Sequence, residues 1–359
     1  MLGRFLRRLT QPEAPAPVLA RSATPVALAQ PDNATAAAAA VSRRPALAEP
    51  EAREVASWLE LEVRTRIVSV QESLSREDRE SDAPAFLDAI SASFDAVVRQ
   101  PPLAAQRALS VTRDSNASAS RLVGLVETDP GLSQGLLRYA NSAFYSTGAS
   151  RCVSLLNAVQ RVGTTGVHNV VLRTMVDGLL CRPGGLFQGH VDLVWQHMVR
   201  TAPIARAIAP PLEVVPDEAY ALGLLHDVGK LVVFDRLGEL RRSLRREVLF
   251  PPAVMSVVLR YLHEPLGGLA ALQWGLGPGV AHAIATHRRS PVPEMFDRRC
   301  EVLYLAEKID LWRVAEDRAP EDEAPLDDWW RDGALNVDVG AVRRLVAELP
   351  VDDEAGQPA

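Results

Sequence analysis

The sequence predicts an all-α fold, and three observations carry that prediction. Apolar residues recur at three- and four-residue spacings, as in Leu122, Leu125 and Val126 or Val167, Val170, Val171 and Met175. Asp-Pro, Pro-Pro and glycine signals cut these stripes into lengths suited to helices. Between Leu103 and Leu180 no stretch alternates in the manner of a strand.

The elements follow in order. Residues 1–50 contain PEAPAPV, TPVALAQP and ATAAAAAV, with few large apolar groups, and read as a disordered Ala/Pro-rich segment. Residues 51–100 read as an N-terminal helical extension. Trp58, Leu59, Leu61, Val63, Ile67 and Val70 line a packing face of its first helix. Leu87, Ile90, Phe94 and Val97 mark a second, which Pro101 and Pro102 end.

Residues 101–185 read as several short helices. Asp129 and Pro130 predict a helix start, because the carboxylate caps free amides and proline suits the first turn. Leu132, Leu136 and Leu137 form the stripe that follows, and Leu155, Leu156, Val159 and Val162 form the next. Gly163 ends that helix in a left-handed conformation, and Thr165 caps its successor.

A second helical group occupies residues 186–312. Val194, Trp195 and Met198 lie on a helix kinked at Pro203. Further helices are predicted from Pro216 towards Gly229 and over 254–262, 266–274, 278–287 and 299–309. Residues 313–359 read as an acidic linker and a last helix after Asp338, packed through Val342, Leu345 and Leu349. Residues 313–328 hold seven acidic and two basic groups.

Composition narrows the function. The chain has 359 residues, enough for one large core or two moderate ones. Its 39 basic against 45 acidic residues give a net charge of -6, which argues against nucleic acid as the partner. The local run RRSLRR at 241–246 reads as solvated or paired within the molecule. Cys152, Cys181 and Cys300 make no CxxC motif, so reduced thiols and a cytoplasmic location are expected. MLGRFLRRLT lacks the apolar run of a signal peptide, and no transmembrane segment is predicted.

Two blocks carry a resemblance. The first is ETDPGLSQGLLRYANSAFYSTGASRCVSLLNAVQRVG, and the second is YALGLLHDVGKLVVF followed by YLHEPLGGLAALQWGLGPGVAHAIATH. Their order and content resemble the HDOD family, a branch related to HD-domain metal-dependent phosphohydrolases, over residues 95–312. The resemblance implies a multi-helix architecture with an HD-type helical subdomain, and a place in bacterial signal transduction. Within the first block it implies that Asn141, Ser142, Phe144 and Tyr145 form a structural turn between helices.

The HD pattern, carried across residue by residue, implies a metal set of His197, His226, Asp227, His263 and His287. Glu307 stands where that pattern has an aspartate, with Asp310 one turn on as the alternative. Imidazole nitrogen and carboxylate oxygen together suit iron, manganese or zinc. If the chain is an enzyme, Asp227 serves as ligand and base-orienting group, and Lys230 faces a phosphate or the acidic site. With no metal, the same histidines serve packing and hydrogen bonding. His168, His190 and His282 read as structural or surface groups.

The leading functional expectation is a regulatory module acting through protein–protein contacts and linked to second-messenger signalling. The chain carries the resemblance without an attached nucleotide-cyclase, GYP-type or DNA-binding motif. The partner is then an unidentified signalling protein. A homodimer is compatible, although no heptad seam specifies one. The alternative is a metal-dependent phosphohydrolase acting on a nucleotide or another phosphate ester.

Overall fold

The computed structural model describes residues 49–92, 94–101, 103–114, 116–142, 144–146, 151–181, 187–288, 297–315 and 339–348. Among them the regular structure is helical and no strand occurs, as the apolar periodicity predicts. Residues 1–48, most of the acidic stretch and Leu349 lie outside the described residues.

Helix α1 (Glu49–Ser73) buries Leu59, Val63, Ile67 and Val70, a run of four- and three-residue steps. Leu61 falls off that stripe and is 62% exposed, so it leaves the predicted face. Helix α2 (Ala83–Ala92) and the single turn α3 (Phe94–Val97) bury Leu87, Ile90, Phe94 and Val97. Helices α4 (Leu103–Arg113), α5 (Ala119–Glu127) and α6 (Pro130–Ala140) pack on α7 (Leu155–Leu180).

The start of α6 is capped as predicted. Asp129 Oδ1 accepts from Gly131 N–H at 2.7 Å and from Leu132 N–H at 3.1 Å. Gly163 interrupts α7 with φ 68° and ψ -176°. The positive φ favours glycine, but the extended ψ differs from the predicted left-handed helical cap. Leu156 faces outward, whereas Val159 and Val162 are buried.

The second group begins with α8 (Gln188–Ile208), which runs on through Pro203. The single helix expected from Pro216 towards Gly229 is two, α9 (Pro216–Leu225) and α10 (Val228–Leu244). Asp227 leaves helical geometry at φ -101°, ψ 10°, so the chain turns at the His-Asp pair. Conversely, the two helices expected on either side of Pro265 are one, α11 (Pro252–Gln273). Residues 254, 255, 258, 259, 262 and 266 are buried with it, and this packing outweighs the hydrogen bond proline forgoes.

Helices α12 (Pro278–Thr286) and α13 (Arg298–Arg313) complete the group, and α14 (Val339–Glu348) packs on α8 through Val342. One continuous apolar cluster joins Leu59 in α1 to Leu303 in α13. A smaller one gathers Ile204, Ile208, Leu305, Ile309 and Val342.

Two tight crossings set the position of the site. A Cβ on Gly229 would lie 1.8 Å from His263 O, so α10 and α11 cross backbone against backbone. A Cβ on Gly223 would lie 2.8 Å from Ala202 Cα, so α9 also lies close against α8. The RRSLRR run is paired within the molecule. Arg246 clamps Asp82 at 2.6 and 2.8 Å, and Arg241 meets Glu247 at 2.5 Å.

Candidate metal centre

Four helices each deliver a histidine to the same interior point. His197 comes from the middle of α8, His226 from the end of α9, His263 from the middle of α11 and His287 from the end of α12. Asp227, at the turn between α9 and α10, stands among them, and all five side chains are fully buried.

Hydrogen bonds fix the tautomers of these imidazoles. His226 Nδ1 lies 2.8 Å from Gly223 O, His263 Nδ1 lies 2.6 Å from Leu259 O, and His287 Nδ1 lies 2.6 Å from Ile284 O. A carbonyl oxygen only accepts, so each Nδ1 carries the proton and each Nε2 presents a lone pair inward. His197 Nδ1 donates instead to Asp310 Oδ2 at 2.6 Å. Arg200 holds that carboxylate through both oxygens at 2.9 and 3.1 Å.

The inward faces converge on Asp227. His197 Nε2 and His226 Nε2 lie 3.7 and 3.5 Å from its Oδ2, and 3.1 Å from each other. His263 Nε2 and His287 Nε2 lie 3.8 and 3.9 Å from its Oδ1. Two groups with ligand-like spacing result, His197–His226–Asp227 and Asp227–His263–His287, sharing the aspartate.

The donor set fits a divalent cation. Two imidazole lone pairs 3.1 Å apart repel unless an electron-pair acceptor sits against both. Asp227 Oδ1, His263 Nε2 and His287 Nε2 are buried and make no hydrogen bond within the protein. Neutral imidazole and ionised carboxylate are the ligand forms that zinc, iron and manganese take.

Electrostatics keep His226, His263 and Asp227 in those forms. Burial drives the His226 pKa down to about 3, against the pull of Asp227. Burial, with the charges of Arg288 and Lys230, holds His263 well below its ordinary value. Burial alone would raise Asp227, but the Lys230 ammonium beside it holds it well below the usual carboxylate range.

Lys230 lies in the first turn of α10, and its ammonium donates to Asp227 Oδ2. Glu307 and Asp310, both on α13, stand outside the two ligand groups among the described residues. Glu307 accepts from Arg288 Nη2 at 2.8 Å, and Asp310 orients His197 from its outer side. Glu264 accepts Arg288 N–H at 3.0 Å and lies 3.9 Å from Arg66 of α1. Four buried carboxylates, Asp227, Glu264, Glu307 and Asp310, thus face four cations, Lys230, Arg66, Arg288 and Arg200. The centre is balanced in charge while its histidines are neutral.

The sequence pattern does not single out Arg200, Glu264 or Arg288. A signal existed for two of them. Arg200 follows His197 by three residues, on the same helix face, and Arg288 directly follows His287. The remaining histidines have structural surroundings. His168 bonds to Thr112 at 2.8 Å, His190 meets the rings of Phe187 and Phe234, and His282 meets Trp58. Cys152 and Cys300 are buried and Cys181 is partly so; none forms a disulfide, and burial raises the thiols of Cys181 and Cys300.

Comparison with known proteins bears on the family and the fold. Residues 98–290, more than half of the chain, match the sequence profile of the HDOD domain. Two solved structures from Shewanella amazonensis SB2B are similar. One is a candidate metal-dependent phosphohydrolase, with TM-score 0.56 and 18% identity over 73% of this chain and 97% of that one. The other is a candidate phosphohydrolase, with TM-score 0.54 and 20% identity over 74% and 93%. A candidate signal transduction protein from Marinobacter aquaeolei VT8 gives TM-score 0.50 and 22% identity over 74% and 63%. No curated protein matches the chain. Among the described residues no helix is long and apolar enough to cross a membrane.

Proposed function

Because the chain belongs to the HDOD domain family, we propose that it is a regulatory module of signal transduction with a divalent metal ion at its buried centre. The observation that carries this reading is the pair of inward imidazole lone pairs 3.1 Å apart, beside the orphaned atoms of Asp227, His263 and His287. His197, His226, Asp227, His263 and His287 would hold the ion. Their complete burial favours a structural or sensing role, because the ligand atoms face one another across helices from both ends of the second group. The partner would be another signalling protein, met through the helical surface.

Elemental analysis of the purified chain beside the His226→Ala/Asp227→Ala variant tests the centre. Stoichiometric iron, manganese or zinc in the wild type, lost in the variant, is the expected result. A wild type that takes up none of the three when supplied would overturn the metal half of the reading. A native pull-down tests the regulatory half, which fails if no reproducible partner is retained.

A second reading is a metal-dependent phosphohydrolase of a nucleotide or another phosphate ester. Its motivation is the sharing of Asp227 between two ligand groups with Lys230 and Arg288 beside them. A bound ion would supply Lewis-acid polarisation of a phosphoryl oxygen. Lys230 and Arg288 would offset charge gathering on the phosphate, and Asp310 would keep His197 oriented. Phosphate release with manganese, iron or zinc, abolished in Asp227→Ala, is the expected signature. Release that continues unchanged in that variant excludes this mechanism.

A further inference from the structure

Arg206 is an unusual buried cation. It is 3% exposed and sits near the end of α8, and its guanidinium lies 4.3–5.1 Å from the centroids of Tyr139, Phe144, Tyr145 and Tyr220. Asp217, in the first turn of α9, pairs with it at 2.5 Å. Tyr145 OH donates to the same Asp217 oxygen at 2.8 Å. Buried Asn169 of α7 donates to Tyr139 OH and to Asp217 O, each at 3.1 Å. The turn after α6 is thereby bound to α8 and α9. That turn is itself set by Asn141, which exchanges hydrogen bonds with the backbone of Cys152 at 2.7 and 2.9 Å.

The register of α8 against α9 links this knot to the metal centre. Arg206 follows His197 by nine residues, and Asp217 precedes His226 by nine. The two helices run antiparallel, so the Arg206–Asp217 pair and the His197–His226 pair close opposite ends of one hairpin. Between them Gly223 lets the backbones touch, leaving little slack along its length.

We propose that Arg206 is a positioning residue for the His197–His226 pair, tying metal affinity to the seating of the Asn141–Tyr145 turn. This rests on the metal reading of the centre. Arg206 acts as an internal ligand of an aromatic cage, and its ion pair fixes how α9 lies on α8. Anything that moves the turn, whose Phe144 ring is half exposed, moves the far end of the same hairpin.

The test is zinc affinity of the full chain, measured by competition with a chelating dye. Arg206→Ala and Arg206→Lys are expected to bind zinc about tenfold more weakly, the size that coupling through packed elements reaches. Tyr145→Phe, which loses one bond to Asp217, should show a smaller loss. Leu87→Ala, an equally buried site in α2, should leave zinc affinity unchanged while lowering stability. Millimolar guanidinium should restore binding in Arg206→Ala alone. If Arg206→Ala does not fold, Arg206→Lys and Tyr145→Phe decide. Wild-type zinc affinity in the folded Arg206 variants overturns the proposal. If the wild type takes up none of zinc, iron and manganese, the metal reading fails, and the ring resonances of His197 and His226 decide instead. Displaced resonances in Arg206→Lys uphold the positioning role, and unmoved ones overturn it.

Discussion

Asp310 holds His197 from the side that faces away from Asp227. Its carboxylate fixes the tautomer of His197 at 2.6 Å and is itself held by Arg200 at 2.9 Å. Asp310→Asn keeps the shape and loses the charge, so metal affinity should fall about 10- to 100-fold, read by zinc titration. An unchanged affinity would show that Asp310 does not set the ligand's orientation. His168 governs a different property. Burial, with the nearby charge of Arg113, depresses its pKa to about 4. As pH falls below about 6.5 the unfolded chain takes up a proton that the folded chain refuses until about pH 4. His168 therefore costs stability on acidification across that window, by about 1.4 kcal/mol per pH unit. Urea unfolding at pH 7 and pH 5 should show a smaller acid loss in His168→Gln than in the wild type. Equal losses would remove His168 as the cause.

Among the elements, the α10–α11 crossing admits no side chain on Gly229. Gly229→Ala would drive a methyl into His263 O, and α11 would have to retreat from α10. The expected cost is about 3 kcal/mol or more, together with loss of metal binding, since His263 would leave Asp227. Thermal unfolding and metal analysis of that variant check both. Loss of the Asp129 cap in Asp129→Ala should cost only about 1 kcal/mol in chemical denaturation. These two glycine and cap positions mark the limits of what sequence reveals. Asp129-Pro130 is a local signal, because the capping atoms lie two and three residues away, and it was legible. The break at His226–Asp227 and the continuity of α11 through Pro265 were not. Both are decided by helices distant in sequence that pack against them.

Across the whole molecule, the apolar core spans α1 to α13, so the extension before residue 98 is packed into the same interior as the family domain. Metal binding should consequently stabilise the entire chain. A ligand at about 100 times its Kd adds about 2.7 kcal/mol, or a rise of about 5 °C in Tm. Calorimetry with and without zinc, manganese or iron checks this, and the His226→Ala/Asp227→Ala variant should show no rise. Motif order singles out the four histidines that the fold brings together, although 90 residues separate His197 from His287. What escaped was their support. Arg206 meets Tyr139, Tyr145 and Tyr220 only after three segments fold together, and no spacing along the chain announces that meeting.

The nine-residue arm between the two closures of the α8–α9 hairpin has a mechanical meaning. At 1.5 Å per residue it is about 13.5 Å long. A tilt of about one degree at the Arg206 end displaces an imidazole at the other by about 0.2 Å, the tolerance within which metal–ligand distances are held. With a metal bound, the hairpin would convert a small rotation into a displacement large enough for a coordination bond to register.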